Sequence, residues 1–326
     1  MGVGVGMAVL GIDIGGTKTI AALADDAARI LARRRIATHR EDGPRAVLSS
    51  IESALRDLMR ETGTPSVSAI GVGCGGPLDR KRGVILTAPN LPGWDDFPLG
   101  GYFEDAFQAP VMLDNDVTLA ALGEAREGAG VGVDHFAYFN VGTGIGGGIV
   151  IEGEVYRGCG NAGEFGHQVI LPDGPSCLCG RRGCLESLAS GTSIARRARE
   201  RLEGGVRSLI ADLAGSVGAV TAEHVWQAAR EGDSLALKIL AETGEYLGLG
   251  AANVVNILNP RRIILGGGVV TGSGDLLLDQ VRKTVRERAM SQLADDVEVV
   301  PAALGDQAGV TGAVRLAAEG SERFSR

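Results

Sequence analysis

Short apolar runs bounded by glycine turns dominate the first part of the chain. Val9 to Ile14 is one run and Thr19 to Ala24 the next, and the turn Gly15-Gly16-Thr17-Lys18 between them predicts a β-hairpin. Arg29 to Ala37 predicts a third strand. From Arg45 to Arg60 the apolar positions Val47, Ile51, Leu55 and Leu58 recur at helical spacing, which predicts an amphipathic helix. Ala69 to Val72 reads as a buried strand entering Gly73-Cys74-Gly75-Gly76-Pro77. Val111 to Leu113 reads as a strand ending at Asp114-Asn115-Asp116, and a helix is expected from Val117 to Glu127 with that polar cluster as its cap.

The second half repeats the theme. His135 to Val141 is a strand, Gly142 to Gly147 a turn and Gly148 to Ile151 a returning strand. A long helix is expected from Ser234 to Leu258, and Arg261 to Leu265 is a strand entering Gly266-Gly267-Gly268. Leu276 to Met290 predicts a helix, Val297 to Val300 a strand and Gly309 to Ala318 a closing helix. Two glycine-turn hairpins, each opening an α/β unit, predict an α/β protein of two similar lobes, with ligands in the crevice between them.

The 326 residues, 44% hydrophobic and 22% charged, fit a soluble globular chain of about two domains and exclude a disordered or fibrous one. With 32 basic and 40 acidic residues the net charge is −8, so a nucleic-acid partner is not expected. No apolar stretch reaches the roughly 18–20 residues of a membrane span, and Met1 to Met7 lacks a basic signal region, so a cytoplasmic protein with no membrane partner is expected. The 51 glycines are the unusual feature, and they call for turns or backbone held close to a ligand.

Gly11 to Lys18 nearly matches a phosphate-binding P-loop, but it runs into a strand instead of a helix. Gly142-Thr143-Gly144-Ile145-Gly146-Gly147 fits the dinucleotide pattern and fails for the same reason. What remains is a pair of strand–turn–strand loops whose backbone N–H groups can face phosphate, the alternative being plain tight hairpins. Asp13 is a carboxylate inside an apolar strand just before such a turn, a place suited to a hydrated Mg²⁺. Lys18, across the turn, either meets anionic oxygens or lies on the surface.

Of five cysteines, Cys177, Cys179 and Cys184 fall within eight residues, and His167 completes an H-x9-C-x-C-x4-C spacing. Three thiolates and one imidazole suit a closed, structural Zn²⁺. Three buried thiols beside an unrelated histidine are the alternative.

Asp13 to Lys18, Asn115-Asp116, Gly163-Glu164-Phe165-Gly166-His167 and Cys177 to Glu186 occur in the order found in the ROK family, which the chain resembles from Val9 to the closing helix. Thr87 to Trp94 resembles its glucokinase members most closely. The resemblance implies an actin-like ATPase (ribonuclease H-like) fold, with a small lobe over residues 1–116 completed by 309–326 and a larger, zinc-bearing lobe over 117–308. It implies transfer from ATP to the 6-hydroxyl of glucose and assembly as a homodimer or homotetramer. Asp116 matches the catalytic base; Asn90, Asn115, Glu164, His167 and Glu186 match sugar contacts. Gly15, Gly16, Thr17, Lys18, Gly142, Thr143, Gly144, Gly267 and Gly268 are expected around ATP, with Asp13 near Mg²⁺. N-acetylmannosamine, fructose and N-acetylglucosamine are alternative substrates. A sugar-sensing regulator is the other alternative, although the eight residues ahead of Val9 are too few for a DNA-reading helix.

Overall fold

The computed structural model describes residues 8–88 and 90–324. The chain opens with strands β1 (Ala8–Ile14), β2 (Lys18–Ala24) and β3 (Ile30–Ala37), then helix α1 (Pro44–Thr62) and strand β4 (Val67–Cys74). A small hairpin of β5 (Leu78–Asp79) and β6 (Val84–Ile85) leads to α2 (Leu99–Phe107), β7 (Val111–Asn115) and α3 (Asp116–Glu127). Strands β8 (Phe136–Val141) and β9 (Ile145–Ile151) follow, then the short β10 (Glu154–Val155). Helices α4 (Leu185–Ala189), α5 (Gly191–Glu203), α6 (Leu209–Ala214), α7 (Ala222–Arg230) and α8 (Ser234–Leu258) precede β11 (Arg262–Gly266). The chain ends with α9 (Gly268–Ser273), α10 (Asp275–Arg288), α11 (Ser291–Ala294), β12 (Glu298–Pro301) and α12 (Ala308–Phe324).

The contacts divide the chain into two compact units. The first runs to Val131, takes in Glu154–Ala162 and resumes at Asp306; the second holds Gly132–Gly153 and Gly163–Gly305. The division therefore falls at Val131, and not after Asp116. Its cause is α3, which packs along α12: a Cβ on Gly312 would lie 1.8 Å from the Leu119 carbonyl oxygen, and one on Gly123 2.4 Å from that of Ala308.

In the first unit the strand order is β3-β2-β1-β4-β7. The β1–β2 and β2–β3 pairs are antiparallel, whereas β1–β4 and β4–β7 are parallel. One face buries Leu10, Ile12, Ile70 and Val72 with Val47, Ile51, Leu55 and Leu58 of α1, the apolar stripe read from the sequence. The other buries Val9, Ile20 and Ala69 with Val310, Val314 and Ala317 of α12. That face has no room for side chains at its centre: Gly11 and Gly71 pair across β1 and β4, and a Cβ on Gly71 would stand 1.9 Å from the Ala313 carbonyl oxygen.

In the second unit β9, β8, β11 and β12 lie side by side, with β8–β9 antiparallel and both β8–β11 and β11–β12 parallel. This repeats the opening topology. The returning strand starts at Ile145, three residues before the expected Gly148, so Gly146 and Gly147 belong to the strand and not to the turn. Gly147 is needed there because the Phe165 ring and the Gly163 carbonyl pack where its side chain would be, at 2.2 and 2.5 Å from a Cβ.

Candidate active site

In the first unit the parallel register sets Asp13 beside Gly73, and Gly73 beside Asp114, so the carboxyl ends of β1, β4 and β7 finish at one level. Ligands of parallel α/β sheets gather at such an edge. Asp13 and Asp116 are both partly exposed there. Burial of its carboxyl, followed by the charge of Asp116, pushes the Asp13 pKa up to about 7. Burial, followed by the nearby carboxylates of Asp116 and Asp13, also raises the Cys74 thiol above its ordinary range. A Cβ on Gly309, in the first turn of α12, would meet the Asp13 carboxylate at 2.4 Å.

Asp116 is the first residue of α3, but it is not the cap. Asn115 caps the helix, its side-chain oxygen accepting from the backbone N–H groups of Val117 at 2.9 Å and Thr118 at 3.1 Å. Asp116 Oδ1 also accepts from Val117 N at 2.9 Å, and the Asp116 carboxylate lies against Gly75. Asn90 is exposed and sits on the first glycine turn, its Cβ 3.1 Å from the Cβ position of Gly16. Lys18 does not stand open over that turn; its Nζ pairs with Asp306 at 3.2 Å.

Two residues at this edge escaped the sequence reading. Asp114 is 1% exposed and lies between Arg157 Nε at 2.7 Å and Arg80 Nε at 3.4 Å, and its Oδ1 accepts from the Asn115 backbone N–H. It thus pins the backbone just ahead of Asn115 and Asp116. Asp306 is the other, and hydrogen bonds from Gln307 and Lys18 hold its carboxyl below the ordinary range. Their charged partners, Arg80 and Arg157 for Asp114 and Lys18 for Asp306, lie dozens to hundreds of positions away in sequence, so local pattern carried no signal for either.

The second unit brings His167, Cys177, Cys179 and Cys184 together, all four ligand atoms within 4.8 Å of one another. Cys179 and Cys184 sulfurs are 3.7 Å apart, and His167 Nδ1 is 3.8 Å from the Cys177 sulfur. A tetrahedral zinc with Zn–S bonds of about 2.3 Å has sulfurs about 3.8 Å apart, so the four residues fit the ion. Burial pushes the Cys184 thiol up to about 12, whereas the Arg181 backbone N–H draws Cys179 below its ordinary range. His167 Nε2 lies 3.9 Å from a carboxylate oxygen of Glu164.

Beside this cluster, the Gly142–Gly144 turn leaves β8. The Gly142 carbonyl accepts from Gly191 N at 2.8 Å and the Thr143 carbonyl from Thr192 Oγ1 at 2.9 Å. Glu186 Oε2 accepts from the Ile145 N–H at 2.8 Å. Gly267 has φ +91° and its Cβ position is 2.4 Å from the Val141 carbonyl oxygen, so the turn from β11 into α9 passes directly over the end of β8. The phosphate-loop candidates Gly142, Thr143 and Gly144 and the nucleoside candidates Gly267 and Gly268 therefore share one strand edge.

Two units of one topology, each opening on a glycine-turn hairpin, have the actin-like ATPase (ribonuclease H-like) α/β fold. Residues 9–320 match the ROK family, and the chain belongs to it. It is 38% identical over 307 residues to a glucokinase of Halalkalibacterium halodurans, covering 93% of this chain and 92% of that one. A crystal structure of a ROK family glucokinase from Streptomyces griseus, in complex with glucose and AMPPNP, is 36% identical. That structure superposes with a TM-score of 0.82, covering 96% of this chain and 99% of its own. A xylose repressor of Caldicellulosiruptor bescii is 30% identical over 94% of this chain and 77% of its own length.

Proposed function

We propose that the chain is an ATP-dependent glucokinase that forms glucose 6-phosphate, with Asp116 as the general base. A sugar hydroxyl is a weak nucleophile, so transfer to it requires a carboxylate positioned at the attacking oxygen. The observation that carries the reading is the division of labour at the start of α3: Asn115 satisfies the helix end, so Asp116 is not needed there as a cap. The Asn115 oxygen faces the helix, which gives its amide nitrogen the role of donor to a sugar oxygen. Asn90, Glu164, His167 and Glu186 are assigned to further sugar hydroxyls, and Asp116 accepts the 6-hydroxyl proton as the phosphoryl group transfers.

On the nucleotide side we assign the phosphates to the backbone of Gly142, Thr143 and Gly144 and to the turn Gly15 to Lys18, and the adenosine to Gly267 and Gly268. Asp13 fits a Mg²⁺ site, because a carboxyl held near neutrality by burial and by Asp116 gains from a nearby cation. Bound there, Mg²⁺ supplies neutralisation of phosphate charge. Zinc on His167, Cys177, Cys179 and Cys184 ties together the segments that carry Glu164 and Glu186, and reduced thiols of this kind suit a cytoplasmic protein. No helix among the described residues is long and apolar enough to cross a membrane. We also propose a homodimer or homotetramer, which light scattering measures.

A coupled assay across glucose, mannose, fructose and the N-acetylhexosamines tests the substrate, and turnover fastest on glucose is expected. Asp116→Asn should fold, by circular dichroism, and lose on the order of 10²–10⁴ in kcat. Near-normal turnover would remove Asp116 from its role. Metal analysis should return about one zinc per chain. The resemblance to the xylose repressor favours a second reading, a sugar-responsive regulator. Glucose binding with no phosphoryl transfer from ATP would select it.

A further inference from the structure

We propose that Glu186 is a positioning residue for the nucleotide phosphate loop as well as a sugar contact, so that one carboxylate couples the two ligands. The inference rests on the kinase reading above, and concerns how its two substrates communicate.

The Gly142–Gly144 loop and its exit are tied by hydrogen bonds to one stretch of chain, Glu186 to Thr192. Its carbonyls are tied to the start of α5, through Gly191 N at 2.8 Å and Thr192 Oγ1 at 2.9 Å. The N–H at its exit, on Ile145, is tied to Glu186 Oε2 at 2.8 Å. A hydrogen bond to an ionised oxygen is among the stronger ones a loop can receive. The contact is close: a Cβ on Gly144 would lie 2.4 Å from the same oxygen, so a larger residue there would displace the carboxylate.

Glu186 is itself held firmly. Its carbonyl accepts from Ser193 Oγ at 2.7 Å and Ser190 N at 3.2 Å, and two residues earlier Cys184 belongs to the zinc cluster. One carboxylate oxygen is therefore committed to the loop, and the other is the one that takes a sugar hydroxyl. Sugar bound to that second oxygen restricts the carboxylate and, through Ile145, the loop. By linkage, AMPPNP must favour sugar to the same degree that sugar favours AMPPNP.

The test is calorimetric binding of AMPPNP with magnesium to the whole protein, in the absence of any sugar. Glu186→Ala is expected to weaken this affinity about tenfold, within the usual range of coupling between sites. Glu186→Asp, which keeps the charge but withdraws it by one methylene, should weaken it similarly and covers the case in which the alanine variant does not fold. Hydrogen exchange at the Ile145 amide should quicken in both. A residue that only touched sugar would leave sugar-free AMPPNP affinity unaltered, so values within twofold of the unsubstituted protein, with unchanged exchange at Ile145, overturn the proposal. The two readings fail separately: an unsubstituted protein that binds AMPPNP and phosphorylates no hexose defeats the kinase assignment while the loop experiment still reports on Glu186.

Discussion

Asp13, proposed for a Mg²⁺ site, sits where its charge costs stability. Its carboxyl titrates near 7 in the folded chain, raised chiefly by burial and then by Asp116, and in the ordinary carboxylate range when unfolded. The folded state thus binds this proton more tightly than the unfolded state. Its contribution to stability is complete below the ordinary carboxylate range and is lost as pH rises through about 7. Asp13→Asn removes the charge, so its stabilising effect should grow from pH 5 to pH 8. After allowance for partial exposure, a gain on the order of 1–3 kcal/mol is expected at pH 8. Thermal melts of both proteins at the two pH values measure it, and an equal difference at each would mean that the carboxyl is not perturbed. At this scale Asp13 and Asp116 were legible in sequence, because a carboxylate in an apolar strand and one at a strand end each stand out locally. Asp114 was not, because what distinguishes it is burial between Arg80 and Arg157, which only the fold creates.

Among the elements, the hairpins, α1, α3, α8, β11 and α10 follow from local periodicity and turn residues, and the chain was informative there. Helices α5 and α7 carry caps at Ser190 and Thr221 and buried positions at helical spacing, so the kind of local signal that marks α1 was present there too. Glycine misled most. Gly146 and Gly147 read as turn and are strand, while Gly11, read as the start of a near P-loop match, and Gly71, within its predicted strand, set the approach of α12 to the sheet. A methyl group at Gly71 would stand 1.9 Å from the Ala313 carbonyl oxygen, backbone that cannot rotate away. Gly71→Ala should therefore shift α12 and cost at least the roughly 1–3 kcal/mol typical of overpacked cores. Urea denaturation measures this, and an unchanged midpoint would show that the helix yields without penalty.

At the scale of the molecule, the chain leaves the first unit at Val131 and regains it for good only at Asp306, so the two ends of the sequence build one core. The consequence lies in α12. It buries Val310, Val314 and Ala317 against Val9, Ile20 and Ala69 on the sheet face opposite α1, beside α3, whose Leu119 lies against Gly73. It also brings Gly309 against Asp13 and follows directly on Asp306, the partner of Lys18. A chain ending at Gly305 keeps every strand of the first sheet, yet exposes the apolar surface that α12 buries and loses the ion pair at the first glycine turn. Such a chain should be recovered insoluble or partly folded. A synthetic peptide of residues 306–326, added during refolding, should restore both solubility and nucleotide binding. The physical reason is that apolar burial, at about 25 cal/mol per Å², is regained from a helix supplied in trans, and a large excess of peptide offsets the association entropy that attachment avoids. A truncated chain that melts cooperatively at the temperature of the intact protein would show that the first unit is closed by something other than its final helix.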